Sequence, residues 1–265
     1  MTKPSLLAVI RCLFNPTAWW LLPKLISRKP HLHLLPLYLA QRCEFVAKGG
    51  TIAQLNPILF DYTTQAGFAR GDYFHQDLLV ANLIHEAKPE RHVDIGSRID
   101  GFVANVAAFR PIEIIDIRPL KDTGHKNIHF LQADLMKEGH VLDEITDSLS
   151  CLHAIEHFGL GRYGDPITPD GHLRGFVNLL RMLKPGGILY ISFPIGPRTE
   201  VHFNAHRVFD PAEILGWPTG GAPLELLQFH YVDKAGALHR DVPLSSAGLR
   251  AECSCGIYVF RKALA

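Results

Sequence analysis

From residue 91 onward, short apolar runs alternate with longer stretches of helical spacing. The runs at 92–95, 112–117, 127–132, 148–154 and 187–193 read as strands. Residues 99–109, apolar at Ile99, Phe102, Val103, Val106 and Phe109, and residues 170–183 read as helices. An earlier helix spans 77–86, where Leu78, Leu79, Ala81, Leu83 and Ile84 face the coming sheet. Apolar strands separated by amphipathic helices predict a mostly parallel sheet covered on both faces. Two further strand-like runs in the tail, LELLQFHYV and CGIYVFRK, flank a polar segment with Gly236 and Pro243. They are expected to pair as an antiparallel hairpin at the sheet edge.

Ligands on such sheets bind beyond the carboxyl ends of the strands, which directs attention to those ends. Residues 91–101, RHVDIGSRIDG, carry Asp94 on a strand that runs into a turn at Gly96. Glycine there lets the chain turn sharply and bring its amides close to a ligand, at the start of a helix whose free amide hydrogens favour negative charge. The second strand ends in Asp116, twenty residues after Gly96, at the spacing where an acid holds the ribose hydroxyls of a nucleotide-type cofactor. The third ends in Asp134. One such acid is as easily a helix cap; three in register along one sheet edge form a site. Arg70, Tyr73, His75 and Gln76 cluster before the first helix, where they line the mouth or serve as turn and capping contacts.

Composition divides the chain. Residues 1–50 hold seven Lys and Arg against one acid, Glu44, whereas the remainder holds 20 against 25. The segment reads as helical, broken at Pro16, Pro23, Pro30 and Pro36, with Trp19 and Trp20 beside Lys24, Arg28 and Lys29. Two readings follow: a helical cover on the main domain, or a peripheral membrane contact through residues 1–45. Gly49 and Gly50 place the boundary, giving an extension at 1–50 and an α/β domain at 51–265. No apolar stretch is long enough to span a bilayer. The five cysteines form no C-x-x-C pair, which argues for a cytoplasmic setting over a disulfide or zinc framework. The mildly acidic main domain lacks the basic surface expected for nucleic acid.

VDIGSRIDG, IIDIRP, LQADLM, CLHAIEHFG, LKPGGILYISFP and GIYVFRK, in that order over residues 75–262, resemble the class I S-adenosylmethionine-dependent methyltransferases. GDYFHQDLLVA, CLHAIEHFGLGRYGD and FNAHRVFDP resemble, more narrowly, a methyltransferase-like family of unknown function. The resemblance implies a Rossmann-like sheet of seven strands, mostly parallel with the last antiparallel, behind an N-terminal helical extension. It also implies S-adenosylmethionine as cofactor: Asp94, Gly96 and Ser97 at its methionine portion, Asp116 at the ribose hydroxyls, Asp134 with Leu135 at the adenine, and Ile117 among the other cofactor-binding residues. The usual D-x-G-x-G-x-G run is altered, with Arg98 and Asp100 replacing two glycines and Gly101 falling one place later. Either the loop takes another path, with Arg98 reaching the cofactor carboxylate, or cofactor binding is weakened.

Methyl transfer is an in-line displacement that needs orientation first and a base only where the acceptor carries a proton of high pKa. His206 is the first candidate base, with His157, Glu156 and His153 after the fourth strand and Tyr163 and Asp165 on the next loop. His153, Glu156 and His157 also match an H-x-x-E-H string, but His153 falls at a strand end rather than inside a helix, so no metal is assigned. The sequence reads as a methyltransferase acting on a small-molecule or carbohydrate-like acceptor. A non-catalytic binding or scaffold module is the alternative. A metal-assisted 2′-O-type methyltransferase and a nicotinamide-dependent oxidoreductase rank lower.

Overall fold

A computed structural model of the chain describes residues 29–137, 143–246 and 253–264. The chain separates into two compact units, Met1–Phe68 and Ala69–Ala265. Gly49 and Gly50 lie within the first. Trp19, Trp20, Lys24 and Arg28 fall outside the described residues, as does most of the segment read as membrane-seeking. The described part of the first unit holds one helix, α1 (Leu35–Ala47), preceded by a 3-10 turn. Pro36 sits in the first turn of α1, where the first amides of a helix have no internal partner to lose, so the helical segment is interrupted between Leu34 and Leu35 and restarts at this proline.

The second unit is built on eight strands: β1 (His92–Ile95), β2 (Ile112–Asp116), β3 (Ile128–Gln132), β4 (Thr146–Leu152), β5 (Leu183–Pro194), β8 (Leu224–Asp233), β9 (Leu238–His239) and β10 (Cys253–Lys262). A separate hairpin of β6 (Glu200–His202) and β7 (His206–Val208) follows β5. The sheet order is β3-β2-β1-β4-β5-β10-β8-β9. β1 to β5 are parallel, whereas β10 runs antiparallel to both neighbours. The expected seven strands are present with a two-residue edge strand, β9, added. β8 and β10 pair antiparallel at that end of the sheet as expected, with β10 lying between β5 and β8. Its buried run from Cys255 to Phe260 explains why: a strand apolar on both faces needs neighbours on both sides.

Each face has its own core. On one, α2 (Asp72–Ala87) contributes Leu79, Val80 and Ile84, packed with Phe102, Val103 and Val106. On the other, α4 (Gly171–Met182) brings Phe176, Leu179 and Leu180 against an aromatic group of Phe193, Phe209, Trp217 and Tyr258. Each fully buried side chain of this size contributes roughly 1.5–3 kcal/mol. The segment after β1 is less regular than its spacing predicts: a π-turn at Ile99–Val103 and then α3 (Ala104–Ala107).

Candidate functional site

Parallel strand order reverses direction of winding at β1 and β4, and the loops leaving β1, β2, β3 and β4 converge on one cleft. Its walls include Gly96, Asp116, Ile117, Asp134, Leu135, His153 and His157, with Arg118, Phe158, Tyr163 and Asp165. Seven of the thirteen residues assigned from sequence to catalysis or to the cofactor thus share this cleft, together with Tyr163 and Asp165 of the next loop. Asp94, Ser97, Arg98, Gly101, Glu156 and His206 are not among its lining residues.

The first turn is braced from below. Asp94, fully buried at the end of β1, accepts the Ser97 amide (3.0 Å), the Ser97 hydroxyl (2.7 Å) and the Ser150 hydroxyl (2.6 Å). Burial raises its pKa to about 6, against the pull of those hydrogen bonds. Ser150 is in turn held by His92 Nε2 (3.1 Å), whose Nδ1 meets Ser148 (2.8 Å). Burial keeps that imidazole neutral, with a pKa lowered to about 3. Asp94 and Ser97 therefore fix the turn from behind and leave the backbone of Gly96 (φ 70°) facing the cleft. At this φ a side chain would be strained, and a Cβ would also stand 3.0 Å from Ala154 Cβ.

The altered glycine run does not close the cleft. Arg98 and Asp100 pair with each other on the surface, Nε to Oδ1 at 3.1 Å and Nη2 to Oδ2 at 2.9 Å, and the guanidinium lies 5.3 Å from the Tyr73 ring. Gly101 is required from the opposite side, because a methyl group there would collide with Asp77 Oδ2 of α2. Asp77 is buried, its pKa raised to about 6 by burial, and it accepts the Phe102 amide at the open start of the π-turn. Nothing in the local sequence marks Asp77 as this cap.

Asp116 Oδ1 accepts the Arg118 amide (2.8 Å) and Nε (3.0 Å), while Oδ2 accepts Nη2 (2.5 Å). The Arg118 guanidinium also lies 4.5 Å from the Tyr163 ring centroid. Asp134, 7% exposed, accepts the Met136 amide at Oδ1 (2.9 Å). Its Oδ2 is buried without a hydrogen-bond partner, and only Lys137 Nζ comes near, at 3.9 Å. A buried carboxylate oxygen left open in a cleft is costly unless a ligand donates to it. The adjoining Leu135 carbonyl is fixed by Asn178 Nδ2 of α4 at 2.6 Å.

The loop after β4 carries the imidazoles. His153 follows β4 in a left-handed conformation (φ 48°), and a 3-10 turn, Ile155–His157, comes next. Glu156 Oε1 stands 3.5 Å from His153 Nδ1 and 3.6 Å from His157 Nε2; Oε2 has no partner. Complete burial pushes the Glu156 carboxyl up to about 8, so it is a protonated acid at neutral pH. Burial lowers His153 to about 3 and His157 to about 4, so both rings are neutral. His157 Nδ1 meets the Ala205 carbonyl at 2.7 Å and His153 Nε2 meets Cys255 Sγ at 3.1 Å. His206, half-buried at the start of β7, lies beside His202 with the ring centroids 5.0 Å apart and the planes tilted by 53°. Its basicity is lowered by partial burial, then by His202 and Arg162.

Two candidates have structural roles instead. Asp165 accepts the amides of Gly159 (2.8 Å), Gly161 (3.1 Å) and Tyr163 (3.1 Å), which consumes the carboxylate in shaping its loop. Gln76 is buried, taking the Ser192 hydroxyl at 2.6 Å and donating to Asp77 at 3.1 Å. Among the described residues, no three His, Cys, Asp or Glu side chains converge as a metal site would.

A family model described as a Caenorhabditis protein of unknown function, DUF268, matches residues 119–215, a stretch that includes β3, β4, the imidazole loop and β5. Among curated proteins no sequence match is found. Solved structures match over most of their length. The 4+2 cyclase SpnF aligns with a TM-score of 0.52 at 16% identity over 76% of this chain and 86% of its own. The 1,6-didemethyltoxoflavin-N1-methyltransferase of Burkholderia thailandensis, solved with its substrate and S-adenosylhomocysteine, gives 0.50 at 13% identity over 71% and 78%. An S-adenosylmethionine-dependent methyltransferase of Clostridium acetobutylicum gives 0.50 at 12% identity over 74% and 94%. The fold is that of the class I methyltransferases. A cyclase on the same methyltransferase fold shows that the architecture does not by itself name a reaction, so function must be argued from the cleft.

Proposed function

We propose that the chain is an S-adenosylmethionine-dependent methyltransferase acting on a small-molecule acceptor, a carbohydrate-like one included. The carrying observation is the cleft beyond β1, β2 and β3, walled by Gly96, Asp116 and the buried, open-ended carboxylate of Asp134. Asp116 fits a ribose diol, Asp134 Oδ2 fits the amino group of an adenine, and Ile117 and Leu135 fit its faces. S-adenosylmethionine supplies a sulfonium-bound methyl group that an acceptor lone pair attacks, the new bond forming to the methyl carbon as the S–C electron pair passes to sulfur and S-adenosylhomocysteine leaves. The chain's own contribution is orientation and removal of the acceptor proton. Glu156 enters as an acid form, not a base. Of the three imidazoles, His206 keeps the basicity nearest the ordinary value and is our assignment for the base. His153 and His157 line the cleft as neutral rings, and the Ala205 carbonyl at Nδ1 of His157 makes that nitrogen a donor.

Arg118 favours a second reading, a methyltransferase-like binding module without catalysis, because its three hydrogen bonds occupy the carboxylate that a ribose needs. Calorimetry separates the two. S-adenosylmethionine is expected to bind the full chain, and Asp116→Ala to weaken it about tenfold or more, the loss of charge-assisted hydrogen bonds. Absence of binding, or an unchanged affinity in Asp116→Ala, rules the enzyme reading out.

A further inference from the structure

The arginines around the cleft differ in one respect that bears on the acceptor. Arg98 is committed to Asp100 and Arg118 to Asp116, while Arg207, also without an ion pair among the described residues, is buried and spends its donors inward on the carbonyls of Glu156, Phe158 and Pro169. Arg162 is held but not neutralised. Its Nη1 donates to the Ala205 carbonyl at 2.8 Å, its guanidinium lies 5.2 Å from the Tyr163 ring, and none of the ion pairs among the described residues includes it. The tether and the ring fix the fork in place, and the side chain is exposed beside the imidazole loop, its Nη1 3.3 Å from His157 Nδ1.

Among the described residues, the acids beside the imidazole loop are otherwise engaged. Asp165 is consumed by three backbone amides, Asp116 by Arg118, and Glu156 is held in its neutral form by burial. The imidazoles of His153 and His157 are neutral rather than acidic partners. Tyr163 and His157, which touch Arg162, both belong to the cleft wall. The acceptor end therefore presents a fixed guanidinium, an aromatic ring and neutral rings, with no competing carboxylate.

We propose that Arg162, seated against Tyr163 and tethered by the Ala205 carbonyl, recognises an oxyanion of the methyl acceptor, which is a small molecule bearing a carboxylate or a phosphate. A guanidinium fork matches either group with paired hydrogen bonds, and a pre-ordered side chain loses little freedom in making them. This deepens the methyltransferase reading and rests on it for the word acceptor, although the oxyanion site itself stands on Arg162.

The test uses the full chain, with and without S-adenosylhomocysteine, and matched probes: benzoate against benzamide, and phenyl phosphate against phenol. Calorimetry is expected to show the anionic member of each pair bound about tenfold or more tightly. Which anion binds better separates the carboxylate from the phosphate. Arg162→Gln is expected to abolish the preference at unchanged S-adenosylhomocysteine affinity and thermal midpoint, and Arg162→Lys to keep part of it. Equal binding of charged and neutral probes, no anion binding, or a preference that survives Arg162→Gln overturns the proposal. Failure of S-adenosylhomocysteine to bind while the Arg162-dependent preference persists defeats the methyl-transfer reading alone.

Discussion

Glu156 is the residue whose chemistry departs furthest from its solution behaviour. Its carboxyl is pushed from 4.5 to about 8 by burial, with a neighbouring imidazole nitrogen 3.5–3.6 Å away on either helical flank of the same oxygen. A raised pKa means that the folded state prefers the proton. The stabilising contribution is complete below the unfolded value near 4.5 and is lost as pH rises towards 8. His157, lowered to about 4, has the opposite sign: its contribution is present above 6.5 and lost as pH falls through 4. Glu156→Gln keeps the shape and removes only the first titration. Urea denaturation at pH 5, 7 and 9 is expected to show the variant gaining on the parent between pH 5 and pH 8 and holding that gain above. Asp94 and Asp77, also raised to about 6, are common to both proteins and cancel in the difference. A difference that does not vary with pH would mean that Glu156 is ionised in the fold.

The turn between β1 and α3 shows what a local pattern conveys and what it does not. That Gly96, Asp116 and Asp134 reach one end of the sheet is legible because strand ends and a glycine turn are near-neighbour features whose periodicity fixes that end, whereas Asp94 braces the turn from behind. Asp77, Asn178 and the Arg118–Asp116 closure are not legible, because each acts through geometry that only the assembled fold supplies. Asp77 lies 24 positions before Gly101, and Asn178 lies 43 after Leu135. Arg98 and Asp100 looked like obstructions because their mutual pairing depends on the π-turn, which the helical spacing of Ile99 and Phe102 masks. Gly101 carries a testable consequence. Gly101→Ala is expected to destabilise the fold by about 1–3 kcal/mol, the usual cost of forcing one methyl into a filled space. Most of that penalty should vanish in an Asp77→Ala background if the collision with Oδ2 is its cause. Penalties that simply add, measured by denaturant titration of the four-protein cycle, would place the strain in the backbone instead.

At the scale of the molecule, the position of β10 decides how the cleft is held. The last strand of the chain lies between β5 and β8, with Ile257 fully buried and paired to Ser192 on one side and His230 on the other. Cys255 on the same strand touches His153, so the imidazole loop is supported by residues that enter the sheet last. A terminal hairpin at an edge could fray alone; an interior strand cannot leave without splitting the sheet. Ile257→Ala is therefore expected to cost about 2–5 kcal/mol, the range for truncating a buried aliphatic side chain. Native-state hydrogen exchange distinguishes the two architectures. If β10 is integral, amides of β1, β4 and β5 lose protection together with those of β8 and β10. Loss confined to β8 and β10 would mean that the parallel half, with Asp116 and Asp134, is stable without them, and that the cleft does not depend on the strand that closes the sheet.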